Sequence, residues 1–168
     1  GRDILRAGGS AVDAAIAAAA VLSVVYPHMC GLGGDNFWLI YDAAAQKLHA
    51  LNGSGRAAQA ATTALYAERG HKTVPTRGPL AAITVPGAVA GWASAFAHSK
   101  KQLASPLSWA DLLEAARQHA EEGFAVSHSL AGSLALVSSG KPNYTLDKHQ
   151  DFRELFFTPE GQPPAFGT

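Results

Sequence analysis

The sequence predicts a mixed helix-and-strand fold of the α+β class, and three features carry that prediction. Residues 11–25 are rich in alanine and apolar on nearly every side, which is typical of a helix buried on most of its faces. A glycine-dense turn at residues 27–36 leads into an aromatic segment, residues 37–41, whose residue types favour a strand. Helical patterns then recur between residues 86 and 137.

The first elements have clear boundary signals. Ser10, with Asp13 three positions later, is a capping-box pattern that predicts a helix start, and Pro27 predicts its end. Residues 37–41 and 47–51 are expected to pair as a hairpin across the turn at 42–46. Residues 52–80 read as a loop with one short helix over 64–69.

The later helices are predicted from caps and spacing. Pro86 is expected at the first position of a helix, where its missing N–H costs nothing. Gly87, Gly91 and Ala95 share one face of that helix and allow another element to pack closely. A cap at Ser108 predicts a helix ending at Gly123. Residues 128–137 form a further helix, and the tail after 141 has its apolar anchors at residue 152 and residues 155–157.

Bulk composition excludes several classes of function. The 168 residues include 13 basic and 13 acidic side chains, a balance that argues against a nucleic-acid surface. The longest apolar run, residues 14–25, is too short for a membrane span. A single cysteine, Cys30, excludes a disulfide within the chain. Both termini are expected to be interruptions of a longer protein. The sequence therefore does not distinguish a cytoplasmic from a periplasmic location.

Most candidate sites have a structural explanation. A helix precedes Gly31, Gly33 and Gly34, whereas a phosphate loop needs a strand first, so these glycines favour close approach of a second backbone or a substrate. His28 and Cys30 lack the further ligands that a metal needs, and no cofactor is expected. Five further histidines are predicted to be isolated at the surface: His49, His71, His98, His128 and His149. Thr62 and Thr63 are expected to cap a helix or lie in the loop before Ala64.

Arg56 is the strongest binding candidate. It follows the segment Asn-Gly-Ser-Gly at the end of the second hairpin strand. A guanidinium on such a loop is suited to a bidentate contact with a carboxylate, and the alternative is a solvated surface arginine.

Three segments then resemble the γ-glutamyltranspeptidase family. Residues 5–17 are similar to its signature helix, residues 27–34 with the following strand to its glycine turn, and residues 85–92 (Val-Pro-Gly-Ala-Val-Ala-Gly-Trp) to a third family motif. Residues 107–130 also fit, and the segments occur in the family's order. The resemblance identifies residues 1–168 as an N-terminal portion of a large subunit, incomplete at both ends.

The resemblance implies an N-terminal-nucleophile hydrolase fold, an αββα sandwich. The family's precursor cuts itself before a threonine into a large and a small subunit, and the freed threonine attacks a γ-glutamyl amide. The nucleophile would lie in the small subunit, so no catalytic residue is expected in this chain and the chain alone is expected to be inactive. Arg56 matches the family arginine that binds the α-carboxylate of the glutamyl group.

At two positions the sequence departs from the family pattern, so the resemblance does not determine which substrate is bound. The turn reads Gly-Gly-Asp-Asn at 33–36, where typical transpeptidases have further glycines, and Arg56 lacks the acidic residue that usually follows. Both features resemble a branch containing oxamate amidohydrolase and acylases. Asp35 is a second substrate-site candidate: it orients Arg56, orients an incoming amine, or caps its turn. A non-catalytic scaffold homologue is the remaining alternative.

Overall fold

The computed structural model describes residues 1–76, 78–141 and 144–168. Along these residues the chain forms α1 (Arg2–Arg6), α2 (Ala11–Val25), β1 (Asn36–Asp42), β2 (Lys47–Gly53), α3 (Thr63–Glu68), α4 (Ala88–Gln102), α5 (Trp109–Glu122), α6 (His128–Val137) and α7 (Gln150–Phe156). They divide into two compact units, the first comprising 1–16 and 32–112 and the second 17–31 and 113–168. The predicted mixture of helices and strands is confirmed.

The start of α2 is a capping box, as predicted. The Ser10 N–H donates to Asp13 Oδ2 over 2.7 Å, and the Asp13 N–H donates to Ser10 Oγ over 3.1 Å. The Asp13 side chain is fully buried. Burial raises the pKa of its carboxyl, but hydrogen bonds from Ser105, Ser10 and Ser99 outweigh that effect and lower the pKa below its usual value.

The predicted hairpin is confirmed, with both strands slightly longer than expected. β1 and β2 pair antiparallel, with Leu39 opposite Ala50 and Tyr41 opposite Leu48. The Asp42 carboxylate closes the turn by accepting the N–H groups of Ala44 and Ala45. Asp42 therefore supplies locally the hydrogen bonds that the turn backbone needs.

The two faces of this hairpin differ sharply. Ile40 and Asp42 are buried on one face, and α4 packs against both strands. The opposite face carries large apolar side chains that are mostly exposed: Phe37 (69%), Leu39 (76%), Tyr41 (63%) and Leu48 (60%). We call these four residues the open hairpin face.

The predicted start of α4 is wrong by two residues. Gly87 is the N-cap and the helix begins at Ala88, so Pro86 lies before the helix rather than at its first position. The N–H groups of Gly87 and Ala88 both donate to the Gly34 carbonyl, over 3.0 and 2.9 Å. This tertiary contact satisfies two N-terminal donors and sets the boundary. The predicted small-residue face is confirmed, since Gly91 and Ala95 are buried.

The helix α5 begins with a second capping box, also as predicted. The Ser108 N–H donates to Asp111 Oδ2 over 2.7 Å, and the Asp111 N–H donates back to Ser108 Oγ. Hydrogen bonds from Ser108 lower the pKa of the Asp111 carboxyl, which is exposed. Gly123 ends the helix with a φ of +87°, a conformation that favours glycine.

The second unit contains its own apolar cluster. α6 has the predicted bounds, with the Ser127 hydroxyl capping it through the Leu130 N–H. Val126, Leu130 and Leu134 are buried, and three aromatic residues of the tail pack against them: Phe152, Phe156 and Phe157. The expectation that Leu155 is also an anchor is wrong, because α7, which the sequence did not predict, leaves it 75% exposed. Across the described ranges, every helix is too short or too polar to cross a bilayer.

Candidate substrate-binding site

Arg56 lies on a loop whose backbone is held by a neighbouring segment. Its carbonyl accepts the Val85 N–H over 2.9 Å, and two residues later the Ala58 N–H donates to the Ile83 carbonyl over 2.8 Å. Between these bonds Ala57 forms an antiparallel bridge with Thr84. The Arg56 side chain is exposed. The main chain is therefore fixed while the guanidinium is available to an anionic ligand.

Asp35 contacts the same loop from the glycine turn. Its Oδ1 accepts the Gly55 N–H over 2.7 Å, a bond that joins residues 20 positions apart. Gly55 immediately precedes Arg56. Among the three roles left open for Asp35, this contact favours an effect on the Arg56 loop.

The backbones here approach so closely that side chains do not fit. A Cβ built on Gly55 would lie 1.6 Å from the Val85 carbonyl oxygen. A Cβ on Gly87 would lie 2.3 Å from the Gly53 carbonyl oxygen and 3.0 Å from Asp35 Oδ1. Gly55 and Gly87 therefore permit close approach of a second backbone. At Gly31 and Gly33, where the sequence suggested such an approach, a Cβ would have nothing within 4 Å among the described residues. We call residues 34–36, 53–57 and 83–91 the Arg56 junction.

Asn36 is a structural residue of this junction that the sequence analysis did not single out. Its amide Nδ2 donates to the Ala88 carbonyl, and its Oδ1 accepts the Trp38 indole N–H over 2.6 Å. A Cβ on Gly91 would lie 2.2 Å from that Oδ1, so the small face of α4 makes room for this amide. The sequence signal that could have led to Asn36 is the small-residue face of α4, which was predicted to receive a close neighbour but did not indicate which one.

The other candidates from the sequence have structural partners. His28 Nε2 lies 2.7 Å from Ser129 Oγ, and the His28 ring packs against Tyr26 with centroids 4.2 Å apart. Cys30 is a free, partly buried thiol. Across the described residues, no three His, Cys, Asp or Glu side chains converge as a metal site. Thr62 caps α3 by accepting the Leu65 N–H, as predicted.

The prediction that the remaining histidines are isolated at the surface is wrong for three of them. The rings of His49 on β2 and His98 on α4 lie 4.7 Å apart, because α4 packs on the hairpin and brings them together. His128 stacks on Phe166, with ring centroids 3.6 Å apart. That stack accompanies a tail that folds back on Val126 through two backbone hydrogen bonds.

A concavity of about 700 Å³ lies along α3, away from these residues. Its lining includes Tyr66, His71, Lys72 and Val74, but neither Arg56 nor Asp35. The exposed Arg56 side chain is therefore not part of this concavity. An arginine in this setting needs further walls before it can enclose a small ligand.

Comparison with known sequences supports the resemblance stated above. A family model described as gamma-glutamyltranspeptidase matches residues 1–168. Oxamate amidohydrolase proenzyme of Klebsiella pneumoniae is 47% identical over 132 residues, which cover 79% of this chain and 24% of that protein. Glutathione hydrolase-like YwrD proenzyme of Bacillus subtilis is 46% identical over 127 residues, covering 76% of this chain and 23% of that protein. The chain thus spans about a quarter of these relatives.

Solved structures of a member of this family and of an acylase have a similar fold. Helicobacter pylori gamma-glutamyltranspeptidase matches with a TM-score of 0.81 and 30% identity, over 99% of this chain and 45% of that chain. Cephalosporin acylase from Bacillus halodurans matches with a TM-score of 0.79 and 36% identity, over 98% of this chain and 30% of that chain. The prediction of an N-terminal-nucleophile hydrolase fold is confirmed.

Proposed function

Because this chain belongs to the gamma-glutamyltranspeptidase family, we propose that it is the carboxylate-binding part of a self-processing enzyme that cleaves γ-glutamyl amides. Hydrolysis and acyl transfer are both outcomes of that chemistry. The observation that carries the proposal is the exposed Arg56 side chain on a backbone held by Val85 and Asp35. A planar guanidinium binds a carboxylate through two parallel hydrogen bonds.

The attacking group is a threonine hydroxyl from a small subunit of the same precursor. Self-cleavage before that threonine frees its α-amino group, whose pKa of roughly 7.7–8.0 suits it to act as base for its own hydroxyl. The acyl-enzyme then reacts with water or with an amine. Relatives described as proenzymes support this processing step. In this division of labour, the present residues bind and orient the substrate, and residues 1–168 form an N-terminal portion of the large subunit.

A second candidate keeps the chemistry and changes the substrate to another small amide that bears a carboxylate. Its support is the 47% identity to an oxamate amidohydrolase. Oxamate and γ-glutamyl amides both carry a carboxylate that a guanidinium can bind, bonded directly to the amide carbon in oxamate and separated from it by three carbons in a γ-glutamyl amide. Kinetics with a γ-glutamyl anilide and with oxamate on the same preparation distinguish the two substrates.

Processing is tested by expressing the full-length gene and analysing the product on a denaturing gel. Two bands, with the smaller beginning at threonine, are the expected result. A single intact band that persists under permissive conditions would contradict the proposal and favour a non-catalytic scaffold.

The role of Arg56 is tested with Arg56→Ala in the processed enzyme. Loss of one partner of a desolvated charge pair costs roughly 2–5 kcal/mol, so KM should rise at least about tenfold while self-cleavage continues. Arg56→Lys keeps the charge but loses the bidentate geometry, so its KM should fall between the two. The control is Arg2→Ala, which removes an exposed arginine that pairs with exposed Asp3 in a surface contact. An unchanged KM in Arg56→Ala would remove Arg56 from the site.

A further inference from the structure

We propose that Asp35 is a positioning residue for Arg56, acting through the hydrogen bond from the Gly55 N–H to its carboxylate. This inference rests on the proposed role of Arg56 as the carboxylate-binding residue. Asp35 itself does not bind the substrate in this proposal. It sets the direction from which the Arg56 side chain leaves the backbone, and thereby the strength of substrate binding.

The first step of the argument is that Arg56 is held on both sides. On its N-terminal side, the Gly55 N–H donates to Asp35 Oδ1 over 2.7 Å. On its C-terminal side, the Arg56 carbonyl accepts the Val85 N–H over 2.9 Å. Removing the Asp35 contact frees the Gly55 N–H, while the bonds to residues 83–85 on the C-terminal side remain. The peptide between Gly55 and Arg56 then gains rotational freedom, and the guanidinium samples more directions.

The second step is that the Asp35 carboxylate has a restricted place in the junction. Ideal Cβ positions on Gly87 and Gly55 would lie 3.0 and 3.4 Å from Asp35 Oδ1. The preceding residue is also fixed, since the Gly34 carbonyl accepts the N–H groups of Gly87 and Ala88. Asp35 therefore reaches the Arg56 loop from a backbone that is itself attached to the start of α4. A carboxylate acceptor makes a stronger hydrogen bond than a neutral one.

The third step separates the hydrogen bond from the charge. A negative charge beside the binding loop opposes an incoming carboxylate, so a purely electrostatic role would make removal of Asp35 improve binding. A positioning role makes removal weaken binding. Asp35→Asn keeps an oxygen acceptor for the Gly55 N–H and removes the charge, whereas Asp35→Ala removes both. The two variants therefore give different results under the two roles.

The experiment is steady-state kinetics on the processed full-length enzyme with a γ-glutamyl anilide. Asp35→Ala should raise KM about fivefold, the change expected for one lost hydrogen bond, with kcat within about twofold of the parent. Asp35→Asn should restore KM to within about twofold of the parent. In the Arg56→Ala background, adding Asp35→Ala should change KM no further, because Asp35 acts through Arg56. Asp3→Ala, at an exposed surface aspartate, is the control.

The outcomes distinguish this inference from the proposed function. If Arg56→Ala leaves KM unchanged, the role of Arg56 fails. If Arg56→Ala raises KM but Asp35→Ala lowers it, leaves it unchanged or adds to the Arg56→Ala effect, only the positioning role is overturned. An Asp35→Asn variant as weak as Asp35→Ala also overturns it. Should Asp35→Ala not fold, Asp35→Glu tests the same point: its displaced carboxylate should raise KM and leave kcat, and a parental KM would contradict the inference.

Discussion

Gly55 of the Arg56 junction and Gly132 of helix α6 have opposite surroundings. A Cβ on Gly55 would lie 1.6 Å from the Val85 carbonyl oxygen, whereas a Cβ on Gly132 of α6 would have nothing within 4 Å. The junction is built from backbone atoms in direct contact, while the core around α6 is built from side chains such as Leu130 and Leu134. Where two backbones are in direct contact, an added methyl group forces the chain segments apart. Where side chains pack against each other, neighbouring side chains can move to accommodate a change in volume.

The largest expected effect is that of Gly55→Ala. The added methyl group overlaps a main-chain carbonyl, so residues 53–57 must separate from residues 83–87, and the loss of stability should exceed about 4 kcal/mol. Folded yield and the thermal midpoint of the full-length protein measure it. The matched control is Gly132→Ala, at an exposed position inside a helix, which should stabilise by up to about 1 kcal/mol. Equal effects of the two substitutions on stability would contradict the difference in packing between Gly55 and Gly132.

An intermediate effect is expected for Leu130→Ala. This side chain is 2% exposed within the apolar cluster, and its truncation should cost about 2–5 kcal/mol, depending on how far the cluster collapses. Denaturant unfolding of the full-length protein measures the loss. Leu155→Ala removes the same atoms from a residue that is 75% exposed and should change stability by less than about 0.5 kcal/mol. If the two variants unfold alike, the cluster does not support this region.

The smallest effect depends on pH and concerns the buried carboxylate of Asp13. Hydrogen bonds hold the pKa of the Asp13 carboxyl in the folded protein below its usual value, so ionised Asp13 stabilises the fold at neutral pH, and this contribution is lost as pH falls through the folded pKa. Asp13→Asn should therefore reduce stability at neutral pH and flatten its decline in acid. Thermal midpoints across an acid pH series of the full-length protein measure this.

The second capping box provides the control for Asp13. Asp111 occurs in the same Ser-x-x-Asp pattern, but its side chain is exposed, and Asp111→Asn should affect the acid decline less. Asp13 instead lies beside Ser10, whose hydroxyl is 2.7 Å from that of buried Ser99 on α4. An acid profile of Asp13→Asn identical to that of the parent would contradict the predicted stabilisation.

Local signals in the sequence were sufficient to predict most of the elements. Both capping boxes, the hairpin and α6 follow from residue types a few positions apart, and those predictions are confirmed. α7 was missed because its apolar residues Phe152 and Phe156 pack against a cluster distant in sequence, formed by Val126, Leu130 and Leu134. The start of α4 was misplaced because a carbonyl from the glycine turn, rather than Pro86, determines it.

The sequence was sufficient to predict which residues of the candidate site matter, but not the hydrogen bonds that connect them. Arg56 stood out because it follows a glycine-containing segment at the end of a predicted strand, and Asp35 because it stands where the family's turn has a further glycine. The bond from Gly55 to Asp35 and the role of Asn36 beside Gly91 depend on contacts between backbones remote in sequence. No local propensity encodes such contacts, so the sequence left three roles open for Asp35.

The open hairpin face has a consequence for how this polypeptide is made. Phe37, Leu39, Tyr41 and Leu48 form a water-exposed apolar strip on a sheet that, in the described residues, has two strands and hence two outer edges. Unpaired strand edges beside exposed apolar side chains pair with other extended chains. An isolated hairpin is also only marginally stable in water. Newly synthesised copies of this region are therefore prone to aggregate. The yield of soluble protein should depend on the supply of chaperones and rise at low growth temperature.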